Sequence, residues 1–122
     1  MNLSTLMTFM KQNEIWLINL DPTIGAEIKK TRPAIIVNDN ALGKLPLKII
    51  VQITDWKDHY QIAPWMIRIL PSLENGLTKL SSIDCFQIRS VSETRFIKKL
   101  GIVDDTTHEK IKIALSKVLS IV

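Results

Sequence analysis

A chain of 122 residues, 46% of them hydrophobic, can bury one core but not two, so a single domain is expected. Lys and Arg number 16 against 12 Asp and Glu, a formal charge of +4 with a pI near 9.3, which suits a polyanionic partner without requiring one. The one cysteine, Cys85, excludes an internal disulfide, and no apolar run approaches the roughly 20 residues that span a bilayer, so no membrane role is expected.

The opening segment, MNLSTLMTFMKQNE, has no basic residue ahead of its weak apolar run, and Ser4, Thr5 and Thr8 interrupt that run. A secretory leader is therefore not expected. Cys85, with Phe86 and Ile88 beside it, reads as a small buried hydrophobe in a reducing compartment, with the cytoplasm as the default. Ile15 to Leu20 (IWLINL) and Ala34 to Val37 (AIIV) are short branched-chain runs bounded by turn residues and predict buried strands. Asp39 to Pro46 reads as a short helix or turn around Gly43. Lys48 to Ile53 (KIIVQI), Met66 to Leu70 (MIRIL) and Asp84 to Arg89 (DCFQIR) predict three further strands, and Asn75-Gly76 a turn in which both residues tolerate positive φ. The period then changes: Thr106 and Glu109 form a capping-box pattern, followed by Ile111, Ala114, Leu115, Val118, Leu119 and Val122 at helical spacing. Short strands followed by one amphipathic helix predict a mainly β protein, a small antiparallel barrel-like sheet with a C-terminal helix packed on it. No internal repeat, low-complexity tract or linker interrupts it.

The stretch DPTIGAEIKKTRPAIIV, Asp21 to Val37, is too long for a tight hairpin and places Lys29, Lys30 and Arg32 just ahead of a strand. Pro33 restrains Arg32 to extended geometry and so fixes how its guanidinium leaves the backbone. Such an arrangement can hold a phosphate; the bland alternative is a solvated basic loop whose arginine pairs with Glu27. Trp56 and Tyr60 can stack on unpaired bases, whereas Trp16 and Trp65 read as core. Thr54 reads equally as a strand-end cap, and Gln87 and Arg89 as outward polar residues of a strand. His59 falls in an exposed loop, DWKDH, and His108 in the first turn of the helix; two scattered histidines and one cysteine make no metal site.

The order EIWLINLDPTIGAEIKKTRPAIIVND resembles the opening of the MazF/PemK-type toxins: a strand ending in an Asp-Pro turn, a Gly-x-Glu element, then a basic cluster leading into Arg-Pro and a second strand. The resemblance continues through VQITDW, NGLTKLSSIDCFQIRSV and RFIKKLG. It covers nearly everything after residue 13, dividing the chain into an N-terminal extension, 1–12, and a toxin domain, 13–122. Asn13-Glu14 stands where those proteins often carry Gly-Asp or Gly-Glu.

The resemblance implies an SH3-like antiparallel barrel that forms a homodimer. It implies an endoribonuclease that cuts single-stranded RNA by attack of its own 2′-OH, with no metal or cofactor. Such a protein is the toxin half of a toxin–antitoxin pair and stops translation and growth. Arg32, Thr54 and Glu27 would be catalytic: Arg32 and Thr54 on the scissile phosphate, Glu27 as base or as a partner that orients Arg32. Lys29, Lys30, Thr31, Trp56 and Gln87 would hold the RNA. The implied partners are single-stranded RNA and a cognate antitoxin with an acidic, partly disordered segment, with operator DNA reached only through that antitoxin. Two other readings stay open, a CcdB-like gyrase poison that shares the barrel and a non-catalytic nucleic-acid-binding regulator.

Overall fold

The computed structural model describes residues 10–20, 31–42 and 45–121. Its strands are β1 (Glu14–Asn19), β2 (Thr31–Ile36), β3 (Leu47–Asp55), β4 (Met66–Ile69), β5 (Ser81–Ser92) and β6 (Phe96–Ile102), followed by helix α1 (Asp105–Val118). All pair antiparallel in one sheet of order β4-β5-β3-β2-β1-β6.

The sheet buries both of its faces, which is why β1, β2 and β3 read as nearly continuous apolar runs. On one face Ile15, Ile35, Val51, Ile53, Ile83 and Cys85 pack with Ile111 and Ala114 of α1. On the other, Ile18, Leu20, Ala34, Ile36, Ile50 and Val91 form a smaller cluster, because neighbours along a strand point to opposite sides. Lys48, inside a strand predicted from its apolar run, is buried and pairs with Glu93 at 3.0 Å.

β6 was not anticipated, for a visible reason. Only half-buried or exposed side chains line it, and its register on β1 shifts twice, between Ile15 and Trp16 and between Leu17 and Ile18, which removes any alternation. Backbone pairing makes this strand, while Lys98 and Lys99 stay exposed on an edge strand, as edge protection favours. The Lys99 ammonium also reaches the buried Glu14 carboxylate at 3.1 Å.

The two ends of the sheet meet through the segment after β4. Gly76, at φ +70, passes so close to the Leu100 carbonyl that a Cβ there would collide with it, and Gly101 runs just as tightly against Glu74 and Asn75. Ile102 N–H donates to Glu74 O at 2.9 Å. Asn75 contributes hydrogen bonds rather than positive φ. Its Oδ1 accepts from Ser72 N and Leu77 N, both at 2.9 Å, and its Nδ2 donates to Leu70 O at 2.8 Å. Asn13 does adopt a left-handed φ of 75, which asparagine tolerates, at the position where the toxins that the sequence resembles often carry glycine.

Helix α1 starts earlier than the Thr106/Glu109 pattern predicts. Asp104 is the N-cap, its carboxylate accepting from Thr107 N at 2.8 Å. Ile111 and Ala114 are buried as predicted, but Leu119, at the C-cap, is exposed.

Candidate active site

Three strands assemble the site on the face of the smaller cluster. Ala34 of β2 pairs with Gln52 of β3, which in turn pairs with Asp84 of β5. Arg32 lies two residues before Ala34 and Thr54 two after Gln52, so antiparallel pairing and the two-residue side-chain period bring both to one face at the same end. Pro33 precedes the first β2–β3 pair and costs that ladder no hydrogen bond. In β5 the register jumps from Val51↔Ile88 to Gln52↔Asp84, expelling Cys85, Phe86 and Gln87 from the ladder as a bulge.

The result is a cleft of about 390 Å³ that Arg32, Thr54 and Gln87 share with Gln52, Asp84 and Arg89; Leu20 and Tyr60 complete its lining. Arg32 is exposed, and Thr54 and Asp84 are half-buried. Phe86 N–H donates to Asp84 Oδ1 at 3.1 Å and fixes that carboxylate. Arg89 Nη1 donates to Leu20 O at 3.4 Å and Arg95 Nη1 to Asn19 O at 3.2 Å, so two guanidiniums hold the exit of β1 beside the cleft.

Other sequence-predicted residues fall elsewhere. Glu27, Lys29 and Lys30 lie outside the described residues. Thr31 is exposed at the start of β2, opposite Asn19. Trp56 borders a neighbouring pocket with Asp58, Gln61, Met66 and Arg68 rather than the cleft itself. Its ring meets Tyr60 edge-on at 6.0 Å, and the Arg68 guanidinium stands 6.0 Å from its centroid. His59 is exposed, in a 3₁₀ turn over Asp58–Ile62 where a loop was predicted, its ring 4.7 Å from Tyr60. His108 is tied by its Nδ1 to Asn13 Oδ1 at 2.7 Å, in a structural contact. Trp16 and Trp65 are half-buried against the core, as predicted.

Cys85 is fully buried, and burial, with the Asp84 charge beside it, pushes its thiol up to about 12, which suits a packing residue and not a nucleophile. Among the described residues no group of three His, Cys, Asp or Glu side chains is placed to hold a metal. A larger cavity, about 620 Å³, lies between the end of β4 and α1, lined by Glu74, Asp104 and Lys110 among others, and shares no residue with the cleft. Sequence reasoning missed Gln52 and Asp84. Gln52 keeps two-residue spacing with Thr54, a signal that was present; Asp84 enters only through the bulge.

The chain is similar to known proteins in sequence and in fold. Residues 11–119 match the model of the PemK-like, MazF-like toxin of type II toxin–antitoxin system. The chain belongs to this family. It is 31% identical over 114 residues to the endoribonuclease PemK of Escherichia coli, covering 91% of this chain and 83% of PemK. It is 29% identical over 96 residues to the endoribonuclease MazF9 of Mycobacterium tuberculosis (75% and 80%). In fold, this PemK-like chain superposes with a TM-score of 0.74 on an endoribonuclease in complex with its cognate antitoxin from Mycobacterial species, at 20% identity, covering 92% of this chain and 96% of that one. Against MazF from Deinococcus radiodurans the TM-score is 0.71 at 18% identity, covering 91% and 96%.

Proposed function

We propose that the chain is a metal-independent endoribonuclease that cuts single-stranded RNA, messenger RNA above all, in the cytoplasm, as the toxin of a toxin–antitoxin pair. The observation that carries this reading is that Arg32, Thr54 and Gln87, from three strands, line one cleft. Relatives named as endoribonucleases, one at 31% identity, support it.

Cleavage by the RNA's own 2′-OH needs no protein nucleophile; it needs the scissile phosphate held, two protons handled and charge on the phosphorane stabilised. Arg32 offers a planar fork to the nonbridging oxygens, and a rigid strand aims it. Thr54 donates its hydroxyl to the same phosphate. Glu27 takes the 2′-OH proton as the 2′-oxygen bonds to phosphorus; the bond from phosphorus to the 5′-oxygen breaks, and that oxygen takes a proton from water. The products are a 2′,3′-cyclic phosphate and a 5′-OH. Lys29, Lys30 and Thr31 contact the backbone, Gln87 lines the path, and the Trp56–Tyr60 pair offers a stacking surface next to the cleft.

The protein acts as a homodimer; exposed Leu42, Leu45, Leu47 and Ile49, all near the start of β3, support a second copy covering that surface. Its other partner is a cognate antitoxin, as in the solved complex of a structural neighbour. The chain's formal +4 charge suits an acidic antitoxin segment, and operator DNA is reached only through that partner.

The test is digestion of a long single-stranded RNA with chelator present, by wild type and Arg32→Ala, with the cut ends mapped. Cyclic phosphate ends at a recurring short sequence are expected, with cleavage down at least about 100-fold in the variant. Intact RNA after treatment with folded wild type, across varied sequences, would refute the reading.

A further inference from the structure

Asp84 stands out in the cleft. It is the one carboxylate among the described residues lining a site whose other polar groups are arginines, amides and the hydroxyls of Thr54 and Tyr60. A carboxylate repels the phosphates of a polyanion, so in an RNA site the oxygen not held by the protein is best placed against a donor of the substrate. Thr54 pairs with Ser82, and Asp84 lies two residues further along β5. Strand spacing and rise then separate the Cα atoms of Thr54 and Asp84 by roughly 8 Å. That offset sets Asp84 apart from the end of the cleft where Arg32 and Thr54 meet. Gln52, its ladder partner, and Gln87, at the far end of the bulge, bring two amides to the same cleft. The Phe86 N–H holds Asp84 Oδ1, leaving Oδ2 available to a ligand.

We propose that Asp84, with Gln52 and Gln87, reads the Watson–Crick edge of one base flanking the scissile phosphate and selects a base with an exocyclic amino group against uracil. Adenine, cytosine and guanine each bring an N–H₂ to the carboxylate, and the glutamine amides, as donor and acceptor, complete the edge. Uracil presents two carbonyl oxygens around a single N–H and sets at least one of them against the carboxylate. The inference rests on the endoribonuclease reading.

The test uses short RNAs built around the mapped cut site, with each of the four bases in turn at each flanking position. Wild type, Asp84→Asn and Asp84→Ala are compared by kcat/KM, and by binding to the same RNAs carrying a 2′-deoxy scissile nucleotide. At one flanking position wild type is expected to cleave and bind the uracil RNA at least about tenfold worse than the others. Asp84→Asn, which can donate to a carbonyl, should shrink that gap to about threefold or less and leave preferences elsewhere unchanged. An equal fall in rate for all four bases with binding intact would instead make Asp84 a proton acceptor and overturn the proposal. So would preferences identical to wild type. Failure of wild type to cleave any RNA would sink the endoribonuclease reading alone; binding of oligo(A), oligo(C) and oligo(U) would then decide the role of Asp84. Oligo(U) bound worst by wild type, with that gap closed in Asp84→Asn, is the expected result, and equal binding of all three by wild type would overturn the proposal.

Discussion

Removing one member of the Lys48–Glu93 pair should be among the costliest single changes in this protein. The ammonium and carboxylate stand 3.0 Å apart with side chains 1% and 2% exposed. Glu93 begins the turn after β5, and its N–H donates to Pro46 O at 3.0 Å, so the pair sits where the start of β3 is pinned to the end of β5. Glu93→Gln keeps the shape and takes the carboxylate's charge out of the buried ion pair; breaking such a pair costs about 3–5 kcal/mol. For a chain of this size the loss is roughly 12–20 °C in Tm. Replacing both members, Lys48→Met with Glu93→Leu, takes both charges out of the interior and should recover most of that loss. The assay is urea and thermal unfolding of all three proteins at one concentration, followed by circular dichroism. If Glu93→Gln lay within about 1 kcal/mol of wild type, or the double variant were less stable than the single one, the pair would not be buried and coupled as described.

The N-cap Asp104 predicts a pH effect of definite sign. Hydrogen bonds from Thr107 hold its carboxyl below the usual carboxylate value, so its contribution is present above the unfolded pKa and is lost as pH falls through the folded one. Thermal unfolding between about pH 6 and pH 2 should show a steeper decline for wild type than for Asp104→Asn, which caps without titrating; parallel curves would contradict the assignment. Cys85 predicts the opposite sign. Its thiol is raised to about 12 from 9.0, so its contribution holds below pH 9.0 and fades as pH climbs toward 12. Iodoacetamide at pH 8 should leave the native protein unlabelled and label it only in denaturant, as read by intact mass; rapid native labelling would place the thiol outside the core.

The apolar runs in β1, β2 and β3 were legible because both faces of the sheet are buried, so composition and length alone marked them as strands. The basic cluster leading into Arg32-Pro33 was equally legible as local chemistry. Helix α1 was visible in its period, though its start was not, because Asp104 outcompetes the Thr106/Glu109 pattern as a cap.

Other features depend on contacts between residues far apart in sequence. β6 exists because its backbone completes the ladder of β1, a pairing that leaves no alternation behind. The depth at which Lys48 and Glu93 meet is invisible to a local reading, since burial belongs to the packed sheet and not to the residue. Arg32 and Thr54 come together through antiparallel register, and Asp84 and Gln87 through a bulge that no propensity marks. The sequence by itself determined five of the six described strands, the terminal helix and the residue types able to bind phosphate. The tertiary structure alone decided which of them face one cleft, because register and bulges, not composition, fix where side chains converge.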